Sequence, residues 1–576
     1  MSTPTMNGAE ALVKCLEHLS VTHIFGHPGG AAINIFDALV DSSIKFVLAR
    51  HEQGAAHMAD GYARASGKPG VVLVTSGPGA LNTVTGLVTA RMDSVPMIVI
   101  SGQTNRGNLG LDAFQEADVF GVTMPLVKHS YLLLDHKDIC RVTHEAHHIA
   151  TTGRPGPVLI DICKDVSGAP TELELDARLD LPGYEATFVA DKLNLEQKKD
   201  VINMAALINQ SRRPLLLVGH GAVLSNAAGE VRTLAEKLQA PVTNTLLGKG
   251  GFPESHRLSL GMLGMHGTAY SNYATTRCDL ILSIGSRFDD RINGNNAEFC
   301  SMAKKLHIDI DPSEIGKIVQ PDASVCGNAK DVLAELIVNV EAQDTKDWLK
   351  ELDDYREKHP LKISNGGLSA SLVVDELYRQ SGGKAIVTTD VGQHQMWAAQ
   401  FFLTDDKDCF LSSGGAGTMG FGMPAAIGAA FAKPEATVIA FVGDGGFQMT
   451  QAELATAMLH KLNVKIVILD NECLGMVRQW QELFFESRYS GIDLEGNPDF
   501  VKLAESYGMK GFYLKDPAKT ETVIRDVLAW DAGPCLLHAS VIKEENVFPM
   551  IPAGKSARDI VLEKPTGTLE KPTGST

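Results

Sequence analysis

Short runs of β-branched and aliphatic residues alternate along the chain with Ala-rich stretches of helical character. That rhythm argues for an α/β architecture built on parallel sheets. The expected strands include Gly70–Val74, Met97–Ser101, Leu215–Val218, Leu280–Ile284, Thr437–Val442 and Lys465–Leu469. The rhythm breaks twice. Residues 165–198 turn acidic and Pro-containing, and residues 341–369 become highly charged, reading as a surface helix plus a linker. Three doubly wound domains are therefore expected, at 1–165, 195–340 and 370–550, in keeping with the about three or four that 576 residues require. The remainder, 551–576, repeats Glu563-Lys564-Pro565-Thr566-Gly567 as Glu570-Lys571-Pro572-Thr573-Gly574. Such a polar repeat cannot bury apolar area, so a flexible C-terminal tail is expected.

Charge and cysteine usage narrow the function classes. Lys plus Arg is 52 against 69 for Asp plus Glu, a net charge of −17. That balance argues against nucleic acid or an anionic membrane as the main partner. No apolar run reaches bilayer-spanning length. The start, Met1-Ser2-Thr3-Pro4-Thr5-Met6-Asn7, lacks a basic segment followed by an apolar stretch, so no secretory signal is expected. Nine cysteines are scattered without a Cys-x-x-Cys pair. They read as reduced thiols, and a cytoplasmic location fits them best.

The most informative segment runs from Thr437 to Val477. One apolar strand ends at Gly443-Asp444-Gly445, a helix follows, and a second apolar strand ends at Asp470-Asn471. In parallel sheets ligands sit outside the carboxyl ends of strands, so both ends face one crevice. The helix is expected to start at Thr450, with Glu453 completing a capping box. Its first-turn amides would contribute to binding an anion. Magnesium takes about six oxygens, commonly shared between phosphates, one or two protein groups and water. Asp444 and the Asn471 amide oxygen are suitable hard ligands. A Gly-Asp-Gly tripeptide alone is most often a tight turn; the second strand ending in Asn, 27 positions on, changes that reading.

This Gly-Asp-Gly…Asn arrangement resembles the thiamin-diphosphate motif. The resemblance implies a third metal ligand, the main-chain carbonyl of Cys473. In the first domain, Lys45–Ala49 leads into Arg50-His51-Glu52. Taken alone, Glu52 reads as a cap or a surface charge. By resemblance it matches the glutamate that hydrogen-bonds the cofactor's pyrimidine ring and favours its imino form, so that the thiazolium carbon can be deprotonated. Low-dielectric surroundings strengthen that bond. Met419, in Gly414-Gly415-Ala416-Gly417-Thr418-Met419-Gly420, matches the bulky residue over which the cofactor bends, with core filler as its plain alternative. Gly392, Gln393, His394, Gly417, Gly443, Gly445 and Met476 fall at further cofactor-contact positions.

Across about residues 6–555 the chain resembles acetohydroxyacid synthase. The carriers are Phe25-Gly26-His27-Pro28-Gly29-Gly30, Ala113-Phe114-Gln115-Glu116, Gly261–Gly267, Gly285–Arg291 and Gly475–Trp480, in order across three domains. The resemblance implies that Gln115 and Lys164 line the substrate channel, with Phe114 as an apolar wall. Arg291 would hold the carboxylate of a second keto acid, a task for a fixed bidentate donor. Trp480 would shape the pocket for that acceptor's side chain, near Met476 and Val477. It also implies a flavin adenine dinucleotide (FAD) site in the middle domain, at Arg154, Gly219, Gly221, Thr245, Leu263, Gly264, Met265, His266, Gly285, Arg287, Asp289, Asp309 and Ile310. Three positions depart from the family pattern: Asn328 for a usual Asp, His27 for a usual Tyr, and Cys163 for a usual Pro. The first puts one flavin contact in question, the others fine specificity.

The activity implied is decarboxylation of pyruvate and condensation with a second 2-keto acid. Pyruvate as acceptor gives 2-acetolactate, and 2-ketobutyrate gives 2-aceto-2-hydroxybutyrate, toward valine, leucine and isoleucine. Implied partners are a second copy of the chain, as a homodimer or within a tetramer, and a small regulatory subunit. Glu52 and Asp444 would then come from different chains to build one site. The rival is an FAD-containing pyruvate oxidase-type oxidoreductase, against which Gly285–Arg291 and Gly475–Trp480 speak. A flavin-free catabolic acetolactate synthase is disfavoured by the Arg-Phe-Asp-Asp-Arg segment, and a glyoxylate carboligase by Glu52. A silent scaffold on the same fold is disfavoured by Glu52, Asp444 and Asn471 together.

Overall fold

The computed structural model describes residues 6–184 and 193–571. Three six-stranded sheets span the chain, and neighbouring strands in each are parallel. The apolar runs form strands buried on both faces. Gly70–Val74, Leu280–Ile284 and Val464–Asp470 are buried at every position, as parallel strands between helical layers must be.

In the first sheet the strands lie in the order Lys45–Leu48, His23–Gly26, Gly70–Val74, Met97–Gln103, Pro157–Cys163, His129–Leu133. The third sheet runs Phe410–Ser412, Ile386–Thr389, Val438–Gly443, Val464–Asp470, Cys535–Ser540, Lys510–Leu514. Numbered by occurrence within each domain, both read 2-1-3-4-6-5. The middle sheet differs: Ser259–Met262, Val242–Asn244, Pro214–Val218, Leu280–Ile284, Lys304–Asp309, Ala323–Cys326, or 3-2-1-4-5-6. That is the strand order of dinucleotide-binding folds. In all three the order reverses beside the first strand, and a ligand crevice belongs there.

The first and third domains share one apolar core. It includes Val72 and Val99 from the first sheet and Val438 and Ile466 from the third. The contact is made by the helices Glu52–Ser66 and Gly422–Ala432. A Cβ on Gly61 would lie 2.1 Å from the Ala425 carbonyl oxygen, and one on Gly428 1.9 Å from that of Met58. Only glycine lets these backbones touch. Buried Arg64 crosses the same junction, pairing with Asp60 at 2.6 Å and Asp93 at 2.9 Å and donating to the Ser412 carbonyl at 3.0 Å. A buried charge is tolerable when it is paired this completely.

One local expectation is corrected and two others gain detail. The helix after Gly443 begins at once, at Asp444, and runs to Thr450. Thr450 ends it, its hydroxyl donating to the Gly420 carbonyl, and Glu453 bonds main-chain amides of the first domain instead of closing a local cap. The charged stretch forms the helix Lys346–Lys358, which buries Trp348 and Leu352 and lets the Trp348 indole donate to the Pro214 carbonyl at 3.1 Å. The tail, despite its polar composition, pairs Met550 with Val561 and donates from the Leu569 amide to the Leu483 carbonyl. Among the described residues no helix is long and apolar enough to cross a membrane.

Candidate active site

Asp444 and Asn471 stand at the carboxyl ends of adjacent strands, Val438–Gly443 and Val464–Asp470, beside the reversal of the third sheet. Asp444 is buried, and its carboxyl is pushed up to about 8, first by burial and then by the negative charge of Asp470. Asp470 stays below its ordinary range despite burial, because His538 bonds it at 2.8 Å. Asn497 donates to both, at 2.8 Å to Asp444 and 3.2 Å to Asp470. A cation would relieve both causes that raise Asp444, so the donor set fits a hard divalent metal. The Asn471 amide nitrogen donates to Gln393 at 3.2 Å, which leaves its oxygen as the free acceptor end. Cys473 lies in a stretch bridged to Asp493, and burial pushes its thiol up to about 11. A hard divalent cation prefers oxygen, so the Cys473 carbonyl and not its sulfur suits the metal. Among the described residues no cluster of three His, Cys, Asp or Glu side chains is placed to hold a metal. The remaining ligands would have to be phosphate oxygens and water.

The neighbouring strand Ile386–Thr389 feeds Gly392, Gln393 and His394 into the same crevice. Burial pushes His394 down to about 3, and its Nε2 has no partner. A Cβ on Gly443 would come within 2.8 Å of His394 Nδ1, so this glycine brings the ring onto the Asp444 turn. The Gly414–Gly420 loop is fixed from below by Asp390, which accepts from the Gly420 amide at 2.9 and 3.0 Å. The loop sets Met419 over Gly445, its Cε 3.8 Å from where a Cβ there would stand. An orphaned imidazole nitrogen, a glycine-paved turn and a methionine above it fit a diphosphate and the bend of a thiamin cofactor.

Glu52 opens its helix, is buried, and accepts from Asn82 at 3.0 Å. His51 caps the helix, its Nδ1 accepting from the Gln53 amide at 3.1 Å. The structure brings Gln115 to this end: a Cβ on Gly77 would meet the Gln115 carbonyl at 2.6 Å, and one on Gly79 would stand 3.3 Å from Glu52 Oε1. Gln115 itself adopts φ +58°. Its neighbour Phe114 is 89% exposed, and Lys164, at the start of the helix Lys164–Ser167, is also exposed.

Arg291 and Trp480 both adjoin the apolar cluster that contains Met265. The Arg291 side chain is 58% exposed and its guanidinium lies 3.7 Å from the Met265 sulfur, while the Met265 amide donates to the Arg291 carbonyl at 2.8 Å. Met265 belongs to a small apolar cluster with Leu483, Phe484 and Met550, against which Trp480 packs. Asp289 steadies Arg291 by accepting from its amide at 3.0 Å. Met476 is partly buried on the third domain's core and Val477 is 47% exposed.

A second cavity opens at the reversal of the middle sheet. Arg154, Gly221, Gly285, Arg287, Asp309 and Ile310 line it, joined by His220, Asn328 and by Asp93 of the first domain. Gly219 packs against Gly285 so closely that a Cβ would be 2.2 Å from its carbonyl oxygen. Thr245, Leu263, Gly264, Met265, His266 and Asp289 lie outside this lining. Of these, His266 is buried with an unpartnered Nε2 and is pushed down to about 3 by burial, while Thr245 caps the turn Leu246–Gly248. Asn328 caps the helix Ala329–Asn339, its oxygen accepting from the Lys330 amide at 2.9 Å. Strand order, the close packing of Gly219 and Gly221 on Gly285, and Arg154 and Arg287 in the lining fit an anionic dinucleotide such as FAD.

Three family models match in series: the N-terminal binding domain of thiamine pyrophosphate enzymes at residues 6–122, the central domain at 201–336 and the C-terminal binding domain at 390–539. A probable acetolactate synthase large subunit of Methanocaldococcus jannaschii is 45% identical over 571 residues, 96% of this chain and 95% of its own. The acetolactate synthase large subunit of Cyanidium caldarium is 44% identical, with 95% of each chain covered. An acetolactate synthase of Mycobacterium bovis is 44% identical, covering 96% of this chain and 91% of its own. The chain belongs to the acetolactate synthase large-subunit family.

Several residues that shape this synthase-family site escaped the sequence reading. Asn497 lies in Glu495-Gly496-Asn497-Pro498, which reads only as a turn. Gln479 holds Gln393 at 2.9 Å and also pairs with the Val547 main chain. Asp93 accepts from the Gly414 and Gly415 amides at 3.0 and 2.7 Å, tying the Met419 loop to the first domain. A buried aspartate in the apolar stretch before Ser94 was the one signal available.

Proposed function

We infer that the chain condenses 2-keto acids: it releases carbon dioxide from pyruvate and joins the remaining two carbons to a second keto acid. The products in this reading are 2-acetolactate from pyruvate and 2-aceto-2-hydroxybutyrate from 2-ketobutyrate, precursors of branched-chain amino acids. The observation that carries it is the pairing of Asp444 and Asn471 at the strand reversal, in a chain 44–45% identical to named acetolactate synthases. Thiamin diphosphate, when bound, supplies the nucleophilic carbon and the electron sink.

The chain's own residues have separable tasks. Asp444, Asn471 and the Cys473 carbonyl would hold magnesium against the diphosphate, with Gly392, His394 and Gly443 beside it. Glu52 would hold and move a proton at the pyrimidine ring nitrogen. Arg291 would fix the acceptor carboxylate while Trp480 sets the space for its side chain, with Gln115 and Lys164 along the approach. FAD would occupy the middle-domain cavity as a structural group. Two chains would build each site, joined by a small regulatory subunit in the cytoplasm.

The test is product identification from pyruvate, with and without 2-ketobutyrate, in the presence of thiamin diphosphate and magnesium. Acetolactate, and the mixed product when 2-ketobutyrate is added, is the expected result. Acetyl phosphate or acetate formed with reduction of an electron acceptor would replace this reading with the oxidase one.

A further inference from the structure

Glu453 lies in the third domain, yet its carboxylate is spent on the first. It accepts from the Arg50 amide at 3.0 and 3.1 Å and from the His51 amide at 3.0 Å, 402 residues away in sequence. Thr456 donates its hydroxyl to Glu453 Oε2 at 2.8 Å and fixes the carboxylate from its own side. The helix Glu52–Ser66 is shaped around this group, because a Cβ on Gly54 would fall 2.3 Å from Glu453 Oε1. Glu453 is 1% exposed, and burial raises its pKa against the bonds that lower it. A buried carboxylate is costly to keep, so a role beyond filling space is expected.

Two simpler roles are already filled. The helix has its own cap in His51, which accepts from the Gln53 amide. Docking of the two domains is carried by the helix contact through Gly61 and Gly428 and by the buried Arg64 group. What Glu453 alone fixes is the pair of peptides immediately before Glu52. It also sits in the turn Gln451–Glu453 that continues the helix Asp444–Thr450, so one segment touches both the metal end and the Glu52 end.

We propose that Glu453 is a positioning residue for Glu52, fixing the Arg50 and His51 peptides so that the next carboxylate stands where the cofactor needs it. The proposal rests on the reading of Glu52 as the group that bonds the pyrimidine ring. A misplacement of about 1 Å in a catalytic group costs on the order of 10²-fold in rate.

The experiment uses the full chain with thiamin diphosphate and magnesium, as wild type, Glu453→Gln and Glu453→Ala, with the Ala variant also made in a Glu52→Gln background. Three quantities are read: proton exchange at the thiazolium carbon, affinity for thiamin diphosphate, and amide exchange of Arg50 and His51 in the cofactor-free chain. Glu453→Ala is expected to slow thiazolium exchange on the order of 10²-fold, leave cofactor affinity unchanged, and strip protection from both amides. Glu453→Gln keeps an acceptor oxygen and recovers most of the rate. In the Glu52→Gln background Glu453→Ala adds nothing, because its effect passes through Glu52. Wild-type exchange in Glu453→Ala, an additive loss in the double variant, or a Gln variant no better than Ala each overturns the proposal. Should Glu453→Ala fail to fold, Thr456→Val removes the supporting hydroxyl, which also lies 3.1 Å from the Leu48 carbonyl, and is expected to slow exchange; an unchanged rate there overturns it equally. Failure of the underlying reading looks different, since Glu52→Gln would then exchange like wild type.

Discussion

The Asn497 amide donates at 2.8 Å to Asp444 and at 3.2 Å to Asp470, so two buried carboxylates share one donor. The negative charge of Asp470 raises the cost of ionising Asp444, and a divalent cation at Asp444 relieves it. Asp444→Ala should therefore abolish activity, with added magnesium rescuing it poorly. Near-normal affinity for thiamin diphosphate in that variant would show that Asp444 does not hold the metal. Asn497→Ala keeps both carboxylates and should weaken magnesium binding without abolishing it.

Glu52 should matter for proton transfer rather than for binding. Glu52→Gln is expected to retain the cofactor but to slow proton exchange at the thiazolium carbon by roughly 10²–10⁴. Mixing inactive Glu52→Gln and Asp444→Ala chains should restore some activity if one site takes Glu52 from one chain and Asp444 from another. No recovery after demonstrated subunit exchange would count against the shared site.

Asp161 gives a pH dependence with a definite sign. Burial pushes its carboxyl up to about 7, against bonds from Ser101 at 2.6 Å and Gln103 at 2.9 Å. The folded chain then binds this proton more tightly than the unfolded chain does. Its contribution to stability is present below the ordinary aspartate pKa and is lost as pH rises toward about 7. Asp161→Asn should flatten the fall in melting temperature between about pH 4 and 7 relative to wild type. Parallel curves for the two proteins would show that Asp161 does not titrate there.

The sheets were legible because strands covered on both faces must be continuously apolar, as at Val464–Asp470. The adjacency of the two strand ends was legible for a related reason, since Asp444 and Asn471 each close such a strand and need no knowledge of the fold to be paired. Glu453 was not legible. Beside Thr450 it looks like a local capping partner, and its true acceptor role is to amides 402 and 403 residues distant. Asp93 bonding the Gly414 amide, 321 residues on, was hidden in the same way. Periodicity carries no information about which distant backbone a buried carboxylate will satisfy. In the described part of the tail, the Leu569 amide bonds the Leu483 carbonyl and Lys564 bonds Glu482, contacts that its composition does not announce.

Acceptor choice would separate the proposed roles of Arg291, whose guanidinium lies 3.7 Å from the Met265 sulfur, and Trp480, which packs against the cluster containing Met265. Both acceptors carry a carboxylate, so a residue that binds only the carboxylate cannot tell them apart. The Arg291 side chain is 58% exposed and so contributes less than a buried ion pair would. Losing it should weaken use of both acceptors equally, by about 1.5–3 kcal/mol for a hydrogen bond to a charged group. The acceptors differ by one methylene, which an apolar pocket distinguishes by about 1–3 kcal/mol. Trp480, packed edge-on to Phe484 at 5.7 Å, adds a large apolar surface to the cluster that contains Met265. Trp480→Leu should lower the preference for 2-ketobutyrate over pyruvate and leave acetolactate formation largely intact. A competition assay with both acceptors, scoring the ratio of the two products, decides it. An unchanged ratio in Trp480→Leu, or a large shift in Arg291→Lys alone, would mean that the side-chain contact is made by Arg291's surroundings and not by the indole.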